Sequence, residues 1–243
     1  MAILKYQLRA QRILGRIFAS VLKYDLFTLS WIDSSVEILK LGGGAGSWHV
    51  PSNVLSSESI CYCFGCGEDI SFDLSLIAHY GCHVYAYDPT ERAIQYVKST
   101  TSGVKEYHFS DIGIWNEDTT LKFYSPSDAR NVSHSALNLQ QTNTYFEAPV
   151  KRLSSLMAAN GHDHIDLLKI DVEGAEYKVV QSIVEDEIPI GVLCMEFDEC
   201  FGPQDFGYMR RIVSTARSLK SLGFRISHST GNGNLTFVHA SVS

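Results

Sequence analysis

Residues 165–177 constrain the fold of this chain most, because they place acidic side chains and a lysine inside an otherwise apolar run. If the first part of the run is a buried parallel strand, its side chains alternate between the two faces of a sheet. Lys169, Asp171 and Glu173 then project to one side, and their charges gather where the strand ends. Open α/β sheets bind ligands at the carboxyl ends of their strands. The run therefore predicts a strand whose charged tip belongs to a functional site.

From residue 59 onward, strand and helix patterns alternate regularly. Short apolar runs bounded by Gly, Ser and Pro predict strands, and apolar positions at helical spacing predict helices. The predicted strands are 60–64, 83–88, 106–109, 165–172 and 190–197, and the predicted helices are 71–80, 91–99, 153–159, 206–222 and one that starts at 175. Residues 231–234 are typical of a hairpin turn between strands 224–229 and 235–240. This order predicts an α/β fold that closes with an antiparallel hairpin.

A polar segment interrupts the alternation. Strands 120–124 and 146–150 bracket residues 125–145, which are rich in Ser, Asn and Gln. Segments of this kind are usually lids, binding loops or mobile connections. We place substrate selection in residues 125–145.

A glycine turn and an acid follow the first two strands. Gly65 and Gly67 let a ligand approach the backbone closely, and the start of the next helix adds positive potential. Asp88, about twenty residues further on, ends the second strand, where an acid accepts hydrogen bonds from the ribose of an adenosine-containing cofactor. A turn or cap role before Pro89 is the alternative for Asp88.

The segments LLKIDVEGAEY, GEDISFD, AYDPT and TFV resemble the FkbM family of S-adenosylmethionine-dependent methyltransferases, over residues 42–239. Many members of that family methylate hydroxyl groups of sugars or polyketides. The resemblance implies a class I methyltransferase fold, a Rossmann-like three-layer sandwich with a mostly parallel seven-stranded sheet and an antiparallel C-terminal strand. We expect this domain at 51–243, preceded at 1–50 by a helical extension and a Gly-rich loop.

The resemblance also implies which residues hold S-adenosylmethionine: Gly65, Gly67, Glu68, Asp69, Asp88, Pro89, Asp111 and Ile112. The last two stand where class I methyltransferases hold the adenine, although an ordinary loop acid is the alternative for Asp111. The chain departs from the pattern at Cys63, where an acid is usual, and at Asp69, where the third glycine of the turn would stand. Glu68 or Asp69 would then take over part of the missing acid's role. Asp69 fits the N-cap of the next helix equally well.

The acidic strand tips suggest general-base chemistry. Methyl transfer from a sulfonium to an oxygen requires in-line placement of the two groups and removal of the hydroxyl proton. We expect Asp171 or Glu173 to be the base or to orient the acceptor. Lys169 would tune them, and Glu196 would assist from the neighbouring strand tip. We assign no dedicated metal ligands, but close carboxylates can hold Mg²⁺, which lowers the pKa of an acceptor hydroxyl. An ion-pair network that only shapes the turn is the third alternative.

Charge and cysteine content restrict the partners and the compartment. The net charge of −7 and the pI near 5.7 argue against a nucleic-acid groove and favour a small-molecule or glycan acceptor. The six cysteines form no evenly spaced framework, which is typical of a reduced, intracellular protein. We therefore expect a cytoplasmic location.

Residues 2–24 have the pattern of a basic amphipathic helix. We favour a helix that packs on the main domain with a solvated basic face, while peripheral contact with a membrane surface is the alternative. Arg16 interrupts the apolar stretch, so we expect neither a signal-peptide core nor a transmembrane span.

Three functions agree with these patterns. We favour an O-methyltransferase that acts on a hydroxyl of a sugar or secondary metabolite, because it accounts for the glycine turn, Asp88, the acidic tip and the final hairpin together. An NAD(P)-dependent oxidoreductase shares the turn and the ribose acid but does not explain the hairpin. A non-catalytic protein that binds S-adenosylmethionine is the third alternative, and the departure at Cys63 is its main support.

Overall fold

Two short hairpins lie between the N-terminal helix and the main sheet, where the sequence predicted a helical extension and a Gly-rich loop. The computed structural model describes residues 2–128 and 130–242. It begins with α1 (Ala2–Ile17) and a π-helical turn at Phe18–Leu22. Strands β1 (Tyr24–Asp25) and β2 (Ser30–Trp31) form the first hairpin, and β3 (Ile38–Leu41) and β4 (Trp48–Pro51) form the second, which encloses the Gly-rich loop. The domain boundary at residue 50 stays a prediction.

Strands and helices then alternate as the sequence predicted. The elements up to the polar insertion are β5 (Ile60–Phe64), α2 (Ser71–Tyr80), β6 (His83–Tyr87), α3 (Glu91–Thr100), β7 (Tyr107–Ser110), β8 (Gly113–Ile114) and β9 (Thr119–Tyr124). The elements after it are β10 (Tyr145–Lys151), α4 (Leu153–Asn160), β11 (Ile165–Ile170), α5 (Glu176–Glu185), β12 (Ile190–Glu196), α6 (Tyr208–Ser221), β13 (Phe224–Ser229) and β14 (Asn234–His239). The strand of the charged run thus ends at Ile170, two residues before its predicted end, because the chain turns at its acidic residues.

Seven of these strands form one sheet in the order β13-β14-β12-β11-β5-β6-β7. Strands β11, β12, β5, β6 and β7 pair in parallel, whereas β14 pairs antiparallel with both β12 and β13. The predicted fold class, with a mostly parallel sheet and an antiparallel C-terminal strand, is confirmed. The parallel strands put their carboxyl ends at one edge, and the charged tip of β11 lies between β5 and β12.

The sheet is covered on both faces, which accounts for the apolar composition of its strands. One buried cluster contains residues of α4, α5 and α6 packed on one face, including Leu156, Val179 and Ile212. The other contains residues of α2, α3 and the β3–β4 hairpin, including Leu76 and Val97. The main sheet is therefore the middle of three layers. None of the helices within residues 2–128 and 130–242 combines the length and apolar character needed to cross a membrane.

Candidate active site

A cavity of about 330 Å³ opens at the carboxyl ends of β5, β6, β11 and β12. This is the sheet edge at which the sequence predicted the site. Ten of the twelve predicted site residues line the cavity: Gly65, Gly67, Glu68, Asp69, Asp88, Pro89, Lys169, Asp171, Glu173 and Glu196. The cavity therefore joins the predicted cofactor-binding turn to the predicted catalytic carboxylates.

The turn after β5 requires glycine at position 65. The φ angle of Gly65 is +83°, and a Cβ there would lie 1.8 Å from the carbonyl oxygen of Asp171. The Gly65 amide donates to the carbonyl of Tyr87 over 3.1 Å. Its own carbonyl accepts a hydrogen bond from Nζ of Lys169 over 2.6 Å. The glycine turn and the tip of β11 are thus packed together as one structural unit.

The carboxylate of Asp88 holds this turn in place. Its Oδ2 accepts hydrogen bonds from the backbone amides of Cys66 and Gly67 over 3.0 and 2.9 Å. Its Oδ1 accepts from the amide of Thr90 over 2.8 Å, just before α3. The structure therefore shows the turn-and-cap role of Asp88. Because Asp88 also lines the cavity, its contact with a ribose stays a prediction.

Both acids that follow the glycine turn already have partners. Glu68 forms an ion pair with Arg92 at 2.5 Å, and Arg92 also donates to two backbone carbonyls of the polar insertion. Asp69 accepts a hydrogen bond from the amide of Ser71 over 3.0 Å at the start of α2. Ile70 is the N-cap of α2, so Asp69 bonds the first helical amide from the position before the cap, and a role of either acid toward the cofactor stays a prediction.

Two predicted adenine contacts and Cys63 are not among the residues lining the cavity. Asp111 is exposed and Ile112 is half-buried, while the next two residues, Gly113 and Ile114, do line the cavity. The lining residues lie two positions further along the chain than predicted, because β8 pairs with β10 and carries Gly113 and Ile114 to the cavity wall. Cys63 is 1% exposed and packs in the core on the α2 side of the sheet. It therefore occupies a structural position.

Lys169 and Asp171 form the centre of the acidic side of the cavity. Their side chains approach to 3.4 Å, and Lys169 is buried. Burial alone would lower the pKa of Lys169, but the carboxylates of Asp171 and Asp73 outweigh it and raise that pKa above its ordinary value. Lys169 is therefore a fixed positive charge that links the glycine turn to Asp171.

Glu196 lies beside Asp171 and carries a proton at neutral pH. Burial raises the pKa of Glu196 to about 9, and the charge of Asp171 and a hydrogen bond with it add to the shift. Burial also raises the pKa of Glu173, although a hydrogen bond with Ser133 opposes this. Glu196 is thus an acid that stays protonated at neutral pH, and its protonated carboxyl can donate a hydrogen bond to Asp171.

Sequence reasoning did not assign Asp198 and Glu176 to the site. One oxygen each of Asp171, Glu196 and Asp198 lie within 4.8 Å of one another. The amide of Gly174 donates both to Glu176 Oε1, over 2.9 Å, and to Asp198 Oδ2, over 3.1 Å. Burial raises the pKa of Glu176 to about 7, and burial and the charge of Glu176 raise the pKa of Asp198. These two acids extend the acidic cluster behind the cavity wall. Their meeting depends on the hydrogen bonds of the Gly174 amide in the turn after β11, a contact between distant residues that local sequence patterns do not predict.

The polar insertion contributes part of the cavity wall, and substrate selection by it stays a prediction. Its residues Val132, Ser133, His134 and Ala136 line the cavity. The hydroxyl of Ser135 donates to the carbonyl of Glu173 over 2.6 Å, and Glu173 has a φ of +54°. The insertion therefore binds the strained turn that carries the acids.

The histidines before β11 lie away from the site. His162 Nδ1 is 2.8 Å from the hydroxyl of Tyr62, and His164 pairs with Asp163 at the surface. Neither histidine lines the cavity.

The strand order and the position of the cavity define a class I methyltransferase-type domain. Residues 61–226, more than half of the chain, match the model of the methyltransferase FkbM domain. The chain therefore belongs to the FkbM methyltransferase family, and the predicted resemblance is confirmed.

Two relatives are the proteins named probable methyltransferase-like protein 24 of Homo sapiens and of Rattus norvegicus. Both are 26% identical to this chain, over 191 and 178 residues. The alignments cover 75% and 69% of this chain but only 45% and 42% of the relatives. The chain thus spans less than half the length of these relatives.

Similar solved structures include two fibrillarins. The fibrillarin pre-rRNA processing protein of Methanococcus jannaschii is 10% identical, with a TM-score of 0.42 and coverage of 84% of this chain and 83% of that one. The fibrillarin of Aeropyrum pernix, solved with bound S-adenosyl-L-methionine, is 10% identical, with a TM-score of 0.41 and coverage of 87% and 85%. At these identities the likeness concerns the fold alone.

Proposed function

We propose that this protein transfers a methyl group from S-adenosylmethionine to a hydroxyl oxygen of a small-molecule or glycan acceptor. The observation that carries the proposal is the single cavity shared by the glycine turn after β5 and the acidic tips of β11 and β12. Family membership supports the methyl donor. The acids at the strand tips support a hydroxyl acceptor, because a hydroxyl must lose a proton during transfer and a carboxylate beside it can accept that proton.

The residues around the glycine turn fit an adenosyl cofactor. Gly65 and Gly67 allow close approach of a ligand, and the side chain of Asp88 borders the cavity beside them. The cavity volume of about 330 Å³ lies within the usual range for small-molecule sites. S-adenosylmethionine supplies an electrophilic methyl group on a sulfonium. We propose Gly113 and Ile114 as additional wall of the adenosyl pocket, beside the predicted Asp111 and Ile112.

Asp171 is our candidate for the general base. It lines the cavity and its side chain is 30% exposed, so an acceptor can reach it. The ammonium of Lys169, at 3.4 Å, gives it a fixed counter-ion. As the new carbon–oxygen bond forms, the acceptor hydroxyl gives its proton to the carboxylate of Asp171. Glu196, which is protonated at neutral pH, orients Asp171 through their hydrogen bond.

Glu173 and Mg²⁺ are the two alternatives within the same cluster. Burial raises the pKa of Glu173, which makes its carboxylate a stronger base, and Glu173 also lines the cavity. The convergent oxygens of Asp171, Glu196 and Asp198 are of the type that Mg²⁺ prefers, and a bound cation would acidify the acceptor hydroxyl. Transfer that persists after exhaustive chelation supports the base, whereas transfer that returns only with Mg²⁺ supports the cation.

A transfer assay with methyl-labelled S-adenosylmethionine tests the function. Sugars, glycans and hydroxylated secondary metabolites serve as acceptors, and mass spectrometry identifies the methylated atom. We expect labelled methyl ethers from the wild-type protein. Label found only on nitrogen or on RNA would contradict the hydroxyl acceptor, and hydride transfer with NAD(P) would support the oxidoreductase alternative. Binding without turnover across the whole panel would support the non-catalytic alternative.

The working environment is also part of the proposal. All six cysteines are buried and unpaired, which supports a reducing compartment such as the cytoplasm.

A further inference from the structure

Helix α1 packs on the domain through a narrow face, and most of its apolar residues lie on another face of the helix. Leu8 and Ala19 are 5% and 7% exposed and belong to a buried core cluster. The backbone at Gly15 contacts the turn of the C-terminal hairpin, where an added Cβ would lie 2.7 Å from the carbonyl oxygen of Gly231. Gln11 accepts a hydrogen bond from the hydroxyl of Tyr208 on α6. These contacts fix the rotation of the helix about its axis.

The opposite face of α1 is apolar and exposed. At 3.6 residues per turn, its outward residues fall within a sector of about 100°. We define the outward apolar face as Ile3, Tyr6, Ala10, Ile13, Leu14 and Ile17, all exposed. Ile3 and Tyr6 are 76% and 74% exposed, and Val21 in the following π-helical turn is 70% exposed. Exposed apolar surface that is continuous over several turns marks an interaction surface. The helix packs on the domain and its basic residues Lys5, Arg9 and Arg16 are exposed, as the sequence favoured, but most of its apolar residues face outward as well.

A basic flank lies between the docked face and the outward apolar face. It consists of Lys5, Arg9, Arg12 and Arg16 on α1, and Lys23 continues it. Residues 2–24 contain five Lys or Arg and no Asp or Glu, although the whole chain has a net charge of −7. Within residues 2–128 and 130–242, none of these five cations forms an ion pair with a carboxylate. A local excess of positive charge therefore lies beside the outward apolar face.

A cavity of about 510 Å³ continues this flank. Its lining includes Arg16, Lys23, Ser20 and Thr230, and none of the described residues that line it is Asp or Glu. Guanidinium, ammonium and hydroxyl groups are the donors that bind phosphate oxygens. The cavity adds an anion-binding feature to the basic flank.

We propose that α1 and its basic flank bind this protein to the surface of an anionic phospholipid membrane. The outward apolar face would lie in the boundary between headgroups and acyl chains, with the basic flank against the phosphates. A second protein copy is the less suitable occupant, because the same positive charges would face each other across a symmetric contact. This proposal is independent of the proposed methyl transfer, because none of its residues lines the candidate active site.

Vesicle sedimentation tests the proposal with the full chain. Vesicles of phosphatidylcholine containing about 30% phosphatidylserine model an anionic surface, and pure phosphatidylcholine is the neutral control. We expect binding to the anionic vesicles, weakened by high salt, and little binding to the neutral ones. The double variant Arg9→Gln/Arg16→Gln should lower the vesicle partition constant on the order of 20-fold, since each basic residue near the surface contributes about 5-fold.

A second variant tests the outward apolar face separately. Ile13→Gln/Ile17→Gln should lower the partition constant at least about 10-fold, because it removes apolar area that would be buried in the lipid. The matched controls are Lys98→Gln/Lys220→Gln for the charge and Tyr145→Gln for the exposed apolar residue; all three lie outside α1 and should leave binding unchanged. Circular dichroism checks that each variant is folded.

Three results would overturn the proposal. The first is that the wild-type protein stays in the supernatant with anionic vesicles. The second is that the control pair Lys98→Gln/Lys220→Gln weakens binding as much as Arg9→Gln/Arg16→Gln does. The third is that light scattering shows a wild-type dimer, which Ile13→Gln/Ile17→Gln converts to a monomer. The last result would show that the outward apolar face binds a second copy of the chain.

Discussion

Replacing Glu196 by Gln is the sharpest test of the raised pKa of this buried acid. Burial and the neighbouring Asp171 raise the pKa of Glu196 from its ordinary value of 4.5 to about 9. The folded protein therefore keeps a proton that the unfolded chain releases above pH 4.5. This contribution to stability is fully present below pH 4.5 and is lost as the pH rises through 9. Gln has a similar shape and can donate to Asp171, but it does not titrate.

The size of the effect follows from proton linkage. One proton bound only by the folded state changes the free energy of unfolding by about 1.4 kcal/mol per pH unit. Between pH 7 and 9 the wild-type protein should lose roughly 2 kcal/mol from this group, after allowance for the midpoint near pH 9. Glu196→Gln should lack that loss and be at least as stable as the wild-type protein at pH 7. Since Glu176, Glu173 and Asp198 also have raised pKa values, the informative quantity is the difference between variant and wild-type curves.

Urea denaturation at several pH values between 5 and 9 measures this difference. The control is Glu185→Gln on α5, whose pKa is lowered by its hydrogen bond with Arg152, so its difference curve should be flat above pH 7. A difference curve for Glu196→Gln that is equally flat would refute the protonated state of Glu196. So would a variant that is less stable than the wild-type protein at pH 7 by 2 kcal/mol or more.

Three further substitutions probe the site and the core. Asp171→Asn should abolish methyl transfer but spare cofactor binding measured by calorimetry, whereas the control Asp163→Asn, at the surface and outside the cavity, should keep both; full activity of Asp171→Asn would remove this residue from the mechanism. Gly65→Ala should weaken cofactor binding and cost about 1–3 kcal/mol in denaturation, because its Cβ meets the carbonyl of Asp171, while Gly43→Ala, with a negative φ, should cost much less. Equal effects of Gly65→Ala and Gly43→Ala would contradict the steric requirement for glycine at position 65. Leu168→Ala, at a fully buried position, should cost about 2–5 kcal/mol, and a cost below 1 kcal/mol would contradict the packing of the sheet.

Local sequence signals predicted most of the fold. Helix α2 and strand β5 have the predicted bounds, because Gly and Ser residues delimit each of them. The alternation of side chains along a strand, applied to residues 165–177, was enough to predict that Lys169 and Asp171 lie on the same side of the sheet. The two-residue strands β1 and β2 were missed, since such short segments carry no periodicity.

The remaining features depend on contacts between distant residues. Asp198 joins the site only because the turn after β11 brings Gly174 within hydrogen-bond reach of it. The shift from Asp111 to Gly113 at the cavity wall depends on the pairing of β8 with β10. The rotation of α1 is set by the close approach of Gly15 to Gly231, which its amphipathic pattern cannot reveal.

Calorimetric titration of the purified chain tests the central claim most directly. S-adenosylmethionine, its product S-adenosylhomocysteine and NAD are titrated separately into the wild-type protein and into Gly65→Ala. We predict that both adenosyl ligands bind the wild-type protein, that NAD gives no binding heat, and that Gly65→Ala weakens both interactions. Binding of NAD in place of the adenosyl ligands, or no binding of any ligand at millimolar concentration, would contradict the assignment of this cavity to methyl transfer.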